Sequence, residues 1–267
     1  MAWRRIKILI LALFLLAVLG MASVLLLNRP GDTFIAPPLP QPNGYDDFLR
    51  ACDSITGEAV DDTTATTNDL RLFLARNTDA LGQIKLGLSR ECGVPLDTSP
   101  SAVTNTTHLQ DLSALKKCAL LLITQGKVAE KDGKNVEAIE AFLDTLRLGC
   151  GVTRGGVIID AQVGLAIQGL ALSRIEKLLK HLNPAEAESL AKSLTTARTS
   201  CEPGAAILVR EAAWARQIFG WRFTVMRTLR PGSFKPVEQS LLAKYATRDE
   251  AVNRLTAEAS ARAALKQ

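Results

Sequence analysis

The sequence predicts an all-α protein with an N-terminal transmembrane helix, a proline-rich spacer and a helical bundle. Three observations predict it. Ala and Leu dominate while aromatic residues make up only 5%, which favours helix over the alternating Val, Ile, Thr and Tyr of sandwiches and barrels. Past Asn43 the apolar residues recur almost throughout with helical spacing. Finally, the twenty residues from Ile8 to Leu27 carry no charge.

At about 1.5 Å per residue that uncharged run spans roughly 30 Å, the thickness of a bilayer's hydrocarbon core. Arg4, Arg5 and Lys7 precede it and only Arg29 follows closely, so the positive-inside bias keeps the N-terminus in the cytoplasm and exports the rest. A cleaved signal peptide is the competing reading. The run is longer than the usual apolar stretch of about 7–15 residues, and the best small-residue exit, Gly20-Met21-Ala22, lies inside it, so the anchor is expected to stay. Residues 1–29 are thus read as cytoplasmic stub and anchor, whose partner through Ile8–Leu27 is the lipid bilayer of the cell membrane. Residues 30–42 contain five of the eleven prolines. They are expected to form a stiff linker of up to roughly 35–40 Å. Residues 43–267 are expected to form one extracytoplasmic α-helical domain.

Within that domain Phe48, Leu49, Cys52 and Ile55 give a first helix behind Asp46-Asp47, which suit the positive end of its dipole. A longer helix is expected to carry Leu70, Phe73, Leu74, Leu81, Ile84 and Leu88, closed by Gly93 and Pro95. The next carries Leu109, Leu112, Leu115, Ala119, Leu122 and Ile123. Helix 157–182 follows a bend at the glycines around Cys150 and at Gly155-Gly156. Asn183-Pro184-Ala185-Glu186 is a capping sequence that starts another helix. Pro203 opens one more. Thr247-Arg248-Asp249-Glu250 repeats the capping pattern, and the last twenty residues, poor in large apolar groups, predict a solvated terminal helix.

One stretch resembles a known family. From Leu122 to Cys150, Gly126, Gly133, Ala138 and Phe142 fall at spacings where a tetratricopeptide repeat places small and aromatic residues, and Asp132-Gly133-Lys134 supplies the turn between its two helices. The bulky residue expected near the repeat's start is Leu122 here, and the closing Pro is absent. No second copy follows at the repeat's period of about 34 residues, and a solenoid needs about three. The resemblance therefore implies a single repeat-like hairpin inside a larger bundle.

Charge and composition narrow the function classes. With 22% charged and 47% hydrophobic residues, the chain is neither intrinsically disordered nor a multi-span transporter. Its net charge of +5 is concentrated at the N-terminal anchor and in residues 204–267. Export argues against a nucleic-acid partner.

The polar candidates are few. Asp160 lies in an otherwise apolar helix and must be paired or near a surface. With Arg154 and Glu211 it forms a candidate catalytic pocket, in which burial keeps one carboxyl protonated for acid-base work. The alternative is an ion pair that fixes helix register. Gly164, one turn on, lets a second helix or a small ligand approach. Trp214, Ile218, Trp221 and Val225 form one stripe, with Arg216, Phe219, Phe223 and Arg227 on the other side. Of these, Trp214, Trp221, Phe219, Phe223, Arg216 and Arg227 are the candidate interaction residues, for a protein groove or for headgroups. The alternative is a core helix with snorkelling arginines.

Five cysteines, Cys52, Cys92, Cys118, Cys150 and Cys201, lie without a C-x-x-C spacing in a compartment that permits disulfides, and their pairing stays open. His108 and His181 are isolated, so no metal or cofactor is expected. Two S-x-x-K matches, at Ser113 and Ser189, lack companion motifs. These readings favour a protein-binding or scaffolding role at the cell envelope, without enzyme activity. The alternatives are an enzyme of unknown substrate using Asp160, Arg154 and Glu211, and a module that binds the membrane surface through its basic C-terminal helices.

Overall fold

Capping residues cut the chain into short helical lengths, and a computed structural model describes the result for residues 2–27, 34–57, 65–103, 106–230 and 232–264. Regular structure among the described residues is all helical. The elements are α1 (Ala2–Leu27), α2 (Gly44–Ser54), α3 (Thr67–Arg76), α4 (Thr78–Leu88), a short 3-10 turn (Pro100–Val103), α5 (Thr107–Lys131), α6 (Asn135–Thr153), α7 (Ile158–Leu179), α8 (Pro184–Ser200), α9 (Gly204–Phe219), α10 (Trp221–Leu229) and α11 (Lys235–Ala264).

The bundle is built around the α6–α7 pair. Gly149 on α6 and Gly164 on α7 bring the two backbones together: a Cβ on Gly164 would stand 2.5 Å from the Gly149 carbonyl oxygen, and one on Gly149 2.7 Å from that of Gly164. Gly164 therefore admits a helix. On one side, α2, α3, α4 and α5 bury Tyr45, Phe48, Phe73, Ile84, Leu115 and Leu121 against Leu148 and Ile167. On the other, α8 and α11 bury Leu190, Leu194, Val252 and Leu255 against Phe142, Leu146, Ile175 and Leu178. A third, smaller cluster joins Ala161 and Leu165 of α7 to Ile207 of α9 and Leu241 and Tyr245 of α11. Helix α7 is apolar and long enough to cross a membrane by composition alone, yet 56% of its apolar window is buried inside the bundle. Its hydropathy is that of a core helix covered on several sides.

Gly126, Gly133, Ala138 and Phe142 fall on the helical hairpin formed by α5 and α6. Its turn uses Gly133 at φ +73°. A Cβ at Gly126 would meet Phe142 Cε1 at 2.3 Å, so the ring fills the space the glycine leaves. Cys150, near the end of α6, is bonded to Cys201 at the end of α8, with their Cα atoms 4.9 Å apart.

Several boundaries differ from expectation. The helix expected through Leu70–Leu88 is broken at Asn77, which is buried and whose Nδ2 donates to Phe73 O (2.8 Å) and Thr56 O (3.1 Å) while its Oδ1 accepts from Thr56 N–H (2.7 Å). Tertiary hydrogen bonds outweigh the local helical period there. Gly149-Cys150-Gly151 lies inside α6 and not in the bend, which falls at Gly155 (φ +77°). The single helix expected through Trp214–Val225 is divided at Gly220 (φ +54°).

No helix starts at Thr247: α11 runs through it, and its hydroxyl donates to Ala243 O within the helix (3.0 Å). The terminal helix is docked instead of solvated, because Val252, Leu255 and Ala259 suffice to form a seam on α8. Of the linker, residues 30–33 lie outside the described residues, as do 28–29 of the anchor. At its far end Pro40 lies beside Gly93, and Asn43 exchanges hydrogen bonds with Gly93 (2.8 and 3.0 Å). The folded body thus begins a few residues before Asn43.

Candidate functional site

The first backbone N–H groups of any helix lack backbone partners within it, and at α7 two carboxylates accept from them, one in its own first turn and one from α9. Asp160 Oδ2 accepts from Val157 N–H (2.7 Å), and Glu211 Oε2, from α9, accepts from Ile158 N–H (2.9 Å). Both anions sit at the positive end of the α7 dipole. Asp160 is wholly buried, and its other oxygen is 2.7 Å from His108 Nε2, in the first turn of α5. That hydrogen bond holds the imidazole pKa above its usual value, with burial opposing. Burial raises the Glu211 carboxyl pKa, the Ile158 N–H works against the rise, and the Asp160 charge adds to it.

Arg154 does not join them. Its Nη2 donates to Ser200 O (2.7 Å), and it borders a separate cavity with Cys92 and Cys150. The basic group at the α6–α7 bend is Arg210, which pairs with Glu202 and donates to Gly156 O (2.7 Å), while Glu202 also accepts from Gly155 N–H (3.0 Å). The Asp160, Arg154 and Glu211 pocket anticipated from sequence is therefore not assembled. Asp160 is sealed beneath the bend, and Glu211 and Arg154 border different cavities.

That cavity, of about 560 Å³, lies between the start of α7, α9, α10 and the start of α11. Its walls are Ile158, Ile159, Leu208, Ala215, Trp214, Phe219, Phe223, Met226, Phe234 and Val237, with Glu211, Arg222, Arg227 and Glu238 also lining it. With the helix broken at Gly220, Phe219 and Phe223 line the same space as Trp214. The sequence had set Trp214 on the opposite side from them. Phe223 meets Phe234 edge-on, with centroids 5.4 Å apart and planes at 64°, a favoured aromatic geometry. Trp214 Nε1 donates to Asp97 O (2.8 Å), which fixes the indole.

Of the six candidate interaction residues, Trp214, Phe219, Phe223 and Arg227 line this cavity. Arg216 is exposed on α9 outside it, and the Trp221 side chain lies outside the described residues. Arg227 approaches Glu238 at 3.8 Å. Met226, Phe234 and Val237 were missed by sequence reasoning because Phe234 meets Phe223 of α10 only through the turn at 232–234. The signal available was Pro231-Gly232, a turn sequence. His108 was missed as the partner of Asp160 because 52 positions separate them.

Chemically, the arrangement offers an apolar chamber of aromatic and Met side chains with two carboxyls, Glu211 and Glu238, in its wall and arginines beside them. Such surfaces take up apolar side chains or chains of methylenes. No protein-family model, curated protein or solved structure matches the chain.

Proposed function

We propose that this chain is a single-pass, membrane-anchored protein of the cell envelope, with its N-terminus in the cytoplasm and its helical body outside, that binds an apolar helix of a partner protein in the α7–α9–α10–α11 cavity. The observation that carries the reading is the chamber itself, with Trp214, Phe219, Phe223, Met226 and Phe234 in its walls. Anchoring is supported by α1. At about 1.5 Å per residue its 26 residues extend about 39 Å, and between Ile10 and Ser23 every residue except Ala22 is exposed. A helical stretch apolar all round and largely uncovered from Ile10 to Ser23 needs an apolar solvent. The proline-rich segment then serves as its short tether to the body.

A helix of a neighbouring membrane protein is the occupant chosen, for two reasons. Helix α10, a wall of the chamber, is also in contact with α1, which brings the site to the membrane-proximal side. Arg216 and Arg222, both exposed, together with Arg227 favour an acidic flank on the ligand. The α5–α6 hairpin, read as a single repeat-type unit, is part of the frame and not the binding surface.

The test uses the full-length protein in its native membrane, with a photoreactive side chain in place of Phe219 or Phe223 and, as control, in place of Val136, which is exposed on α6. The expected result is a discrete protein adduct from the two cavity positions, mapped to an apolar helix of the partner and absent from position 136. Adducts to lipid alone, or equal labelling from all three positions, would contradict it. A protease-protected C-terminal tag, digested only once the outer barrier is opened, is the expected topology. A tag facing the cytoplasm would reverse it.

A further inference from the structure

We propose that Cys52 of α2 and Cys118 of α5 are joined by a second disulfide, which staples the first helix of the body to the core. Their Sγ atoms are 2.6 Å apart. Two unbonded heavy atoms of this size rest at roughly 3.5–4.0 Å, so the two sulfurs lie far inside packing distance and close to the roughly 2.05 Å of a bond. The surroundings agree. Cys118 is fully buried and Cys52 nearly so, and α2 packs directly on α5 through Phe48 and Cys52 against Leu115 and Cys118. Cys150–Cys201 ties α6 to α8 on one side of the α6–α7 pair, and Cys52–Cys118 ties α2 to α5 on the other. Cys92 is then the one thiol left, with its Sγ 3.4 Å from Gly151 O.

The contact with the Cys52 sulfur, and then burial, push the Cys118 thiol far above its usual pKa. Both sulfurs are closed off from an oxidant once α2 has docked, so the bond must form before then. The co-reactant is the disulfide of an exported thiol–disulfide oxidoreductase. One cysteine thiolate attacks it to give a mixed disulfide, and the second displaces the oxidoreductase cysteine. Two protons and two electrons leave the chain, and the oxidant departs as a dithiol.

The proposal rests on the exported placement of the body, and the experiment separates the two. Full-length protein is taken from membranes under an alkylating quench, denatured, weighed intact and digested. The expected result is one alkylated thiol, Cys92, and a Cys52–Cys118 linked peptide that disappears on reduction. Three alkylated thiols with Cys150–Cys201 intact would overturn the second disulfide alone, whereas five would overturn it together with the exported placement. As a second readout, Cys52→Ala, Cys118→Ala and the double variant should each lower the Tm by the same amount, about 5–12 °C, with the difference from the parent removed by reductant. Additive losses that ignore reductant would mean that the two cysteines contribute packing only.

Discussion

The α6–α7 pair and the α9–α10 pair are both successive helices joined at a glycine of positive φ, Gly155 and Gly220, yet they solve opposite problems. In α6–α7 the glycines also lie inside the helices, where Gly149 and Gly164 remove the side chains that would hold the backbones apart, and the interface closes completely. In α9–α10 the interior residues are Trp214, Phe219, Phe223 and Met226, too bulky to close against one another across the turn at Gly220, and a cavity remains. The same two residue types, small and aromatic, thus give a closed frame where the small ones face each other and an open cavity, the proposed receptor, where the large ones do. Polar groups follow the division. The frame buries Asp160 with both oxygens engaged, while the receptor leaves Glu211 partly engaged at the cavity wall.

The largest effect expected from this contrast comes from the aromatic residues. Phe142 is fully buried against Gly126, and Phe142→Ala should cost about 3–5 kcal/mol. Phe219 is 43% exposed, and Phe219→Ala should cost under about 1 kcal/mol while weakening partner cross-linking from position 223. Urea denaturation of the detergent-solubilised full-length chain measures the two stabilities, and comparable losses would erase the distinction. Glycines on α7 sharpen it further. Gly164→Ala should cost about 2–3 kcal/mol, because the new methyl meets Thr153 and the Gly149 carbonyl. Gly169→Ala, five residues on with nothing within 4 Å, should instead gain about 0.5–1 kcal/mol.

Two smaller effects depend on pH. Asp160→Asn removes a buried anion from a helix start and from His108, at about 2–3 kcal/mol. Because the His108 pKa is raised in the fold above 6.5, the protonated pair contributes fully below pH 6.5. That contribution is lost as the pH climbs through the folded value. In His108→Gln this slope should vanish from a stability profile taken between pH 5 and 9. Glu211 has the opposite chemistry with a similar sign: its folded pKa lies above 4.5, so the fold favours the protonated acid. Its charge costs stability as the pH rises from 4.5 through the folded value. Glu211→Gln keeps an acceptor for Ile158 N–H and should flatten that loss, a change of at most about 1 kcal/mol. A steeper profile in the variant would show that the carboxylate is better solvated than its place in the wall implies.

How much of this was legible in the sequence depended on how local each signal was. The start of α8 was readable because the Asn183 and Glu186 side chains satisfy each other's backbone N–H groups (3.0 and 2.8 Å) within four residues. The same kind of pattern at Thr247 misled, because Leu241 and Tyr245 before it and Val252 after it are all buried on neighbouring helices, and that packing carries the helix through. The break at Asn77 depended on Thr56, 21 positions earlier. The aromatic and arginine residues of the cavity were recognisable as a binding surface by type. Their grouping was not, since it turns on the conformation of Gly220 and on Phe234 folding back. Arg154 was assigned to Asp160 by proximity in sequence, and the bend at Gly155 sends it the other way, to Ser200.

Native-state hydrogen exchange on the full-length protein in detergent tests the central contrast most directly, because amide protection reports the free energy of local opening. The account predicts that amides of α6 and α7 exchange only through global unfolding. Those of α9 and α10 should exchange at least about a hundredfold faster, a gap of about 2.7 kcal/mol, and slow when the partner helix is bound. Equal protection in the two helix pairs, unchanged by the partner, would contradict the division into a closed frame and an open binding cavity.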